Sequence, residues 1–299
     1  MQRHDPRYGR GEHVIEGAQA AAVEAVASLP DRMRRVLSAP DYEPPLLPRA
    51  ALEVHRLSRE PDVNLDEIVT LVEQDALLAS QTLRRSRSVA FSTRVPPQSL
   101  DEAVRRIGLD NVRDIVWETA MHMRVFRCKP YAPAMEALRR HSVAVATCTK
   151  ALALRTSVAA EYAFLAGLLH DVGLAAMLLI LAEERTPPPL EEVADDLVAL
   201  HEEAAETVGR AWGLPPELTL IVAHHHHPTI GGYDHPVVAA LCVGHEMAQQ
   251  LGHGLQWGGL GRDVTHPNQL RRALDALDLT LLQVEAAAAE TAARLEALS

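Results

Sequence analysis

An all-α fold is what this sequence predicts, and three observations predict it. Ala, Leu and Val dominate while aromatic residues make up only 4%, which suits packed helices better than β-sandwich strands rich in β-branched and aromatic side chains. Apolar residues such as Leu65, Ile68, Val69, Leu71 and Val72 recur at helical spacing. No stretch shows several alternating strands, and no fixed-period repeat is present.

The elements follow in order. Residues 14–28, "VIEGAQAAAVEAVAS", read as a short Ala-rich helix. "APDYEPPLLP" (39–48) holds four prolines and must be extended. "RAALEVHRLSRE" is a helix stopped by Pro61. "NLDEIVTLVEQDALLASQTLRRSRS" opens on Asn64 as N-cap, with Glu67 completing a capping-box variant. Asp75 then falls near a helix centre, on a solvated face. Ser99 caps "LDEAVRRIG", and Gly108 ends it. "LDNVRDIVWETAMHMRVF" is a further amphipathic helix.

Past "CKPYAP" come "AMEALRRHSVAVATCTKALAL" and "AEYAFLAGLLHDVGLAAMLLILAEE", then, after "TPPPL", "ADDLVALHEEAAETVGRAWGLP" and "PELTLIVAHHHH". "PVVAALCVGHEMAQQLG", a Gly-rich loop (252–261) and two closing helices complete the chain. The expected organisation is an N-terminal segment (1–28), a helical subdomain (29–130) and a second helical subdomain (131–299), the two subdomains packed together. Gly213-Leu214-Pro215 ends one helix and starts the next, and Trp212 and Leu214 are expected in the core.

Composition narrows the function. The 299 residues are 47% hydrophobic and 23% charged, an ordinary globular balance. Three scattered cysteines, Cys128, Cys148 and Cys242, imply neither a disulfide framework nor a CxxC metal knuckle. With no apolar leader and no run of about 18 uninterrupted apolar residues, the expectation is a soluble, cytoplasmic protein with no membrane partner. Net charge is −11, divided as −1 over residues 1–28, +1 over 29–130 and −11 over 131–299. An acidic C-terminal half argues against nucleic acid as a partner, since its phosphates need clustered cations. The Arg84, Arg85 and Arg87 group reads as a solvated helix face.

Histidine is where chemistry concentrates. His141, the adjacent His170–Asp171, His201, the run His224–His227 and His245 each lie in or at the end of a separate helix. Helices packed as a bundle can aim such side chains at one interior point, and imidazole with carboxylate suits a first-row divalent metal. Successive helical residues lie about 100° apart around the axis, so at most two neighbours of the tetrad can share a site. His4, His13, His55, His122, His235, His253 and His266 read as surface or core histidines.

These residues carry a family resemblance. "LAGLLHDVGL" resembles the HD superfamily core, in which an adjacent His-Asp ends a buried helix and ligates metal. "HEEAAETVGRAWGLPPELTLIVAHHHHP" is similar to the His-x(7)-Gly-x-x-Trp-Gly-Leu-Pro run of HDOD-domain proteins. "LPRAALEVHRLSREPDVNLDEIVTLVEQDALLASQTLRR" and "LDEAVRRIGLDNVRDIV" fit the same family's first half, so the resemblance spans roughly residues 45–299. It implies an HD-type helical bundle for the second subdomain, with His141, His170, Asp171 and His201 as metal ligands. Within the run it selects His225 and His226, and it puts His245 where catalytic relatives carry a final Asp.

Three departures bear on activity. With His245 in the Asp place, Asp171 is the only evident carboxylate, which suits Fe, Mn, Zn or Ni better than Mg. Leu174 stands where the HD-GYP branch, acting on cyclic dinucleotides, has a lysine. "GGYDHP" offers Asp234 in place of the GYP proline, one residue too near the paired histidines. Arg87 also replaces an Asn usual to HDOD proteins. The resemblance therefore implies a bacterial signalling module that binds rather than turns over. With no receiver or cyclic-dinucleotide domain in the sequence, input is expected in trans from other signalling proteins. The alternative is a metal-dependent phosphohydrolase acting on a nucleotide or cyclic dinucleotide.

Overall fold

The computed structural model describes residues 28–45, 49–57, 62–87, 97, 99–257 and 267–296. The helix expected over 14–28, apart from Ser28, lies outside the described residues, as do His4, His13, His266 and the end of the Gly-rich loop. The chain divides into two compact units, Met1–Tyr42 and Glu43–Ser299. In the first, α1 (Leu29–Leu37) starts at Ser28, whose Oγ accepts the Asp31 N–H at 3.3 Å.

Among its described residues, the second unit opens with the helices α2 (Arg49–Leu57), α3 (Leu65–Glu73), α4 (Ala76–Ser86), α5 (Leu100–Ile107) and α6 (Leu109–Arg124). Their apolar stripes meet in one cluster that includes Val54, Ile68, Val72, Leu78, Val104, Ile107, Val112 and Val116. Asn64 caps α3 by accepting the Asp66 N–H at 3.0 Å. The single helix expected from Asn64 onward is instead broken at Gln74–Asp75. Asp75 Oδ1 accepts the Leu78 N–H at 3.1 Å, so Asp75 begins α4 rather than sitting mid-helix on a solvated face. A carboxylate that can cap its own backbone competes with helix continuation, and here it wins. Ser99 caps α5 through the Glu102 N–H, and Gly108, at φ 78°, ends it.

The arginine group is only partly a solvated face. Arg85 forms an ion pair with Glu118 of α6, with 14% and 17% of the two side chains exposed. Arg87 donates to the Pro97 carbonyl at 3.4 Å.

The remaining helices are α7 (Ala132–Ala153), α8 (Ala160–Leu169), α9 (Val172–Ala182), α10 (Leu190–Ala211), α11 (Pro216–Val222), α12 (Pro236–Ala248), α13 (Pro267–Leu277) and α14 (Leu281–Glu296). Between α11 and α12 a two-stranded antiparallel hairpin, β1 (Thr229–Ile230) and β2 (Tyr233–Asp234), pairs Thr229 with Asp234. It is the one strand pairing among the described residues, and the fold is all-α. Leu214 is buried as expected; Trp212 is only partly so, its indole N–H reaching the Pro45 carbonyl at 2.8 Å.

α7 is the axis of this half: α8, α12 and α14 all pack on it, while α9 packs on α10. The stretch Tyr162–Ala182 is long and apolar enough to cross a membrane, yet most of it is buried inside the protein. It is also interrupted by His170 and Asp171, which divide it into α8 and α9. Among the described glycines, three sit where a Cβ would crowd a neighbour: Gly167 against the Ala146 backbone, and two beside the histidine cluster. A Cβ on Gly173 would lie 2.1 Å from the His201 carbonyl oxygen, and one on Gly244 would lie 2.3 Å from Thr149 Oγ1. These approaches press α9 onto α10 and α12 onto α7, next to Asp171 and His245 respectively. Lys150 and Asp114, both buried, join α7 to α6 at 2.5 Å.

Candidate metal centre

Each expected side chain arrives from a different place. His141 comes from the middle of α7, and His170 and Asp171 from the joint between α8 and α9. His201 comes from the middle of α10 and His245 from α12. The histidine run does not continue α11; it lies in hydrogen-bonded turn beyond Val222. That turn directs His225 and His226 inward. His224 stays beside the Leu220 carbonyl, and His227, exposed, meets Gln269. The selection of two neighbours is therefore made by a turn, not by helical phase.

All seven side chains come together. His141, His170 and His245 present nitrogens within 4.8 Å of one another, and so do His201, His225 and His226. Asp171 lies between the two triads. Its Oδ2 is 3.1 Å from His170 Nε2 and 3.5 Å from His141 Nε2; its Oδ1 is 3.6 Å from His225 Nε2 and 3.8 Å from His201 Nε2. His226 is partly buried, and the other six residues are each at most 8% exposed.

Hydrogen bonding fixes which nitrogens point inward. Nδ1 of His141 meets the His253 carbonyl at 2.8 Å, Nδ1 of His170 that of Gly167 at 2.8 Å, and Nδ1 of His225 that of Val222 at 2.7 Å. Nδ1 of His201 meets the Val198 carbonyl. A carbonyl only accepts, so each of these Nδ1 atoms carries the proton and each Nε2 keeps its lone pair. Yet His141 Nε2 lies 3.2 Å from His170 Nε2, and His201 Nε2 lies 3.1 Å from His225 Nε2. Two acceptors facing each other at that distance cannot form a hydrogen bond. Asp171 Oδ2 is likewise buried with no donor. Converging lone pairs and an orphaned carboxylate oxygen match what a cation requires, so these buried groups can hold a metal.

Electrostatics agrees. Burial, followed by the neighbouring His170, brings His141 down to about 4, and burial first brings His225 to about 4. Burial likewise holds His245 well below the ordinary histidine value. Burial alone would raise the Asp171 carboxyl, but His170, His225 and His201 outweigh it and keep Asp171 well below the usual range. The result is neutral His141, His225 and His245 rings beside an ionised carboxylate, the protonation state in which these groups ligate.

A pH dependence follows for chelator-treated protein. A ring whose folded pKa is depressed binds fewer protons folded than unfolded, so stability is complete above about 6.5 and lost as pH falls toward 4. Depressions of this size for His141 and His225 are worth on the order of 3 kcal/mol each. Metal-free protein is expected to melt at a markedly lower temperature at pH 4.5 than at pH 7. An unchanged melting temperature would contradict this protonation scheme.

Several groups behind the cluster carry no sequence signature. Glu202 Oε1 accepts the His226 N–H at 3.3 Å and lies 3.9 Å from His225 Nδ1. The Cys242 thiol meets the His225 carbonyl at 3.2 Å. Gln249 Nε2 lies 3.3 Å from His245 Nδ1. His253, read as an ordinary histidine, contributes its backbone carbonyl, which no side-chain pattern reveals. His235 caps α12 through its Nδ1. Leu174 is fully buried one turn past Asp171.

An all-α bundle that gathers histidines on a His-Asp joint defines the HD-type architecture. The HDOD domain model matches residues 45–228, and the chain belongs to the HDOD family. A Shewanella amazonensis SB2B protein, provisionally named a metal-dependent phosphohydrolase, shares its fold with a TM-score of 0.68 at 20% identity, covering 90% of this chain and 97% of its own. An HDOD domain protein of unknown function from Geobacter sulfurreducens gives a TM-score of 0.65 at 23% identity, covering 92% and 98%. An uncharacterized protein of Treponema pallidum (strain Nichols) is 28% identical over 225 residues, 70% of this chain. The match spans only 41% of that curated relative's length.

Proposed function

We propose that this chain is a metal-binding HDOD signalling protein of the cytoplasm, which acts by binding other signalling proteins rather than by turning over a substrate. His141, His170 and His245 would hold one divalent ion and His201, His225 and His226 another, with Asp171 shared between them. The observation that carries the metal is the set of inward Nε2 lone pairs at 3.1–3.2 Å. With three imidazoles and one carboxylate oxygen for each ion, the donor set favours Fe, Mn, Zn or Ni over Mg. The observation that favours binding over turnover is Leu174. It is buried and apolar, whereas the HD-GYP pattern it resembles carries at this position a lysine, a cation able to contact phosphate.

A phosphohydrolase acting on a nucleotide or cyclic dinucleotide is the second reading. Two triads flanking one carboxylate favour it, as does the name given to the Shewanella protein of similar fold. Bound ions would there supply Lewis acidity toward a phosphate oxygen. One experiment separates the two. Purified protein is assayed for bound metals by elemental analysis, then incubated with nucleotides and cyclic dinucleotides with and without added Fe, Mn or Zn. Stoichiometric metal without sustained hydrolysis is the expected result. Metal-dependent hydrolysis abolished by His170→Ala would replace the first reading with the second, and absence of any metal would remove both.

A further inference from the structure

The two triads are held in place by different means. In the second, the Nδ1 partners of His201 and His225 are Val198 and Val222, each three residues back in the local chain. Glu202, the neighbour of His201, ties down the His226 backbone. This triad is therefore oriented by the corner that α10 and α11 make on folding. In the first triad, His170 is likewise held by Gly167 three residues back. His141 is not: its Nδ1 partner is the carbonyl of His253, 112 residues away. His245 leans on the side chain of Gln249.

Both outside supports belong to one short element. After α12 the chain continues through a kinked turn, Gln249–His253. Gly252 inside it has φ 84° and ψ 15°, a left-handed conformation that L side chains rarely adopt. That residue turns the His253 carbonyl back toward α7. The turn is partly exposed, whereas the rings it orients are buried.

Building on the metal reading above, we infer that the Gln249–His253 turn is the positioning element for half of the centre, so that the two ions bind unequally. The His201, His225 and His226 triad is ready once the helices pack and takes the first ion. The His141, His170 and His245 triad is completed only when the turn closes its carbonyl onto His141, and it takes the second ion more weakly. Partners behind metal-ligating histidines fix ring orientation and tautomer, and losing one costs about 10–100-fold in affinity.

The test is titration of the chelator-treated full chain with Co2+, followed by visible absorption and by equilibrium dialysis. Wild type is expected to take two ions per chain in two resolved steps. Gln249→Ala and Gly252→Ala are expected to weaken only the second step, by about 10–100-fold, leaving the first step's affinity and spectrum unchanged. Glu202→Ala, which removes the acceptor of the His226 N–H, should do the reverse. Circular dichroism checks that each variant is folded, and Gln249→Ala leaves the backbone geometry of Gly252 untouched. Two equivalent ions in wild type, or equal weakening of both steps by Gln249→Ala, overturns the inference while leaving the metal reading intact. No bound ion at all overturns both.

Discussion

Asp171→Asn is expected to release the metal and, in metal-free protein, to lower stability near pH 7. The first effect comes from removing the carboxylate that, among the described residues, meets both triads, its oxygens lying 3.1–3.8 Å from four Nε2 atoms. Losing a supporting group behind a ligand already costs up to about 100-fold, so loss of a shared ligand should exceed that. Elemental analysis after dialysis against a weak chelator measures it. The second effect follows from the surroundings of the same group. Against burial, His170, His225 and His201 hold the Asp171 carboxyl well below its usual range. The ionised carboxylate therefore stabilises the fold at neutral pH, and that stability is lost as pH falls through the depressed value. Asn carries no charge at nearly unchanged volume. Its metal-free melting temperature at pH 7 should therefore fall below that of wild type. An equal or higher one would show that the histidines do not favour this carboxylate.

Gly173→Ala is expected to damage fold and centre together. The added Cβ would meet the His201 carbonyl oxygen at 2.1 Å and the Ala205 backbone nitrogen at 2.7 Å. Both obstacles are backbone, so no rotamer change relieves them and α9 must lift from α10. Overpacking typically costs about 1–3 kcal/mol, and a clash with two backbone atoms belongs at or beyond the upper end. Because Asp171 precedes α9 and His201 sits in α10, the same displacement separates a carboxylate from its imidazole. Urea unfolding should show a loss of about 3 kcal/mol or more, with reduced metal content at temperatures where the variant is folded. Normal metal content in a strongly destabilised variant would show that the centre does not depend on this contact.

Much of the architecture was legible because local rules and tertiary packing agree along most of the chain. Asn64, Ser99 and Gly108 stand where side-chain caps and a left-handed residue predict helix ends, and the structure uses them so. Asp75 was misread because an apolar pattern running through residues 65–83 hides a cap in its middle. The geometry of the centre was legible in part. Histidines on separate helices could be seen from spacing, and the HDOD likeness chose between members of the 224–227 run. The turn that executes that choice could not be seen, since a helical reading of the run carries no information on where α11 stops. The supports behind the rings were invisible for another reason. Val198, Val222, Gly167 and His253 act through main-chain oxygens, which every residue type possesses.

The scarcity of negative charge around the centre has an outcome of its own. Among the described residues, Asp171 faces the converging nitrogens, and Glu202 stands behind His225. A pair of divalent ions brings four positive charges to a pocket with so few anions, and uncompensated charge away from water is expensive. On the two-ion reading proposed above, an oxyanion drawn from solution would restore the balance. Loading with the second ion and capture of a phosphate-like solute would then be linked, and added phosphate would raise the metal content of the chelator-treated chain.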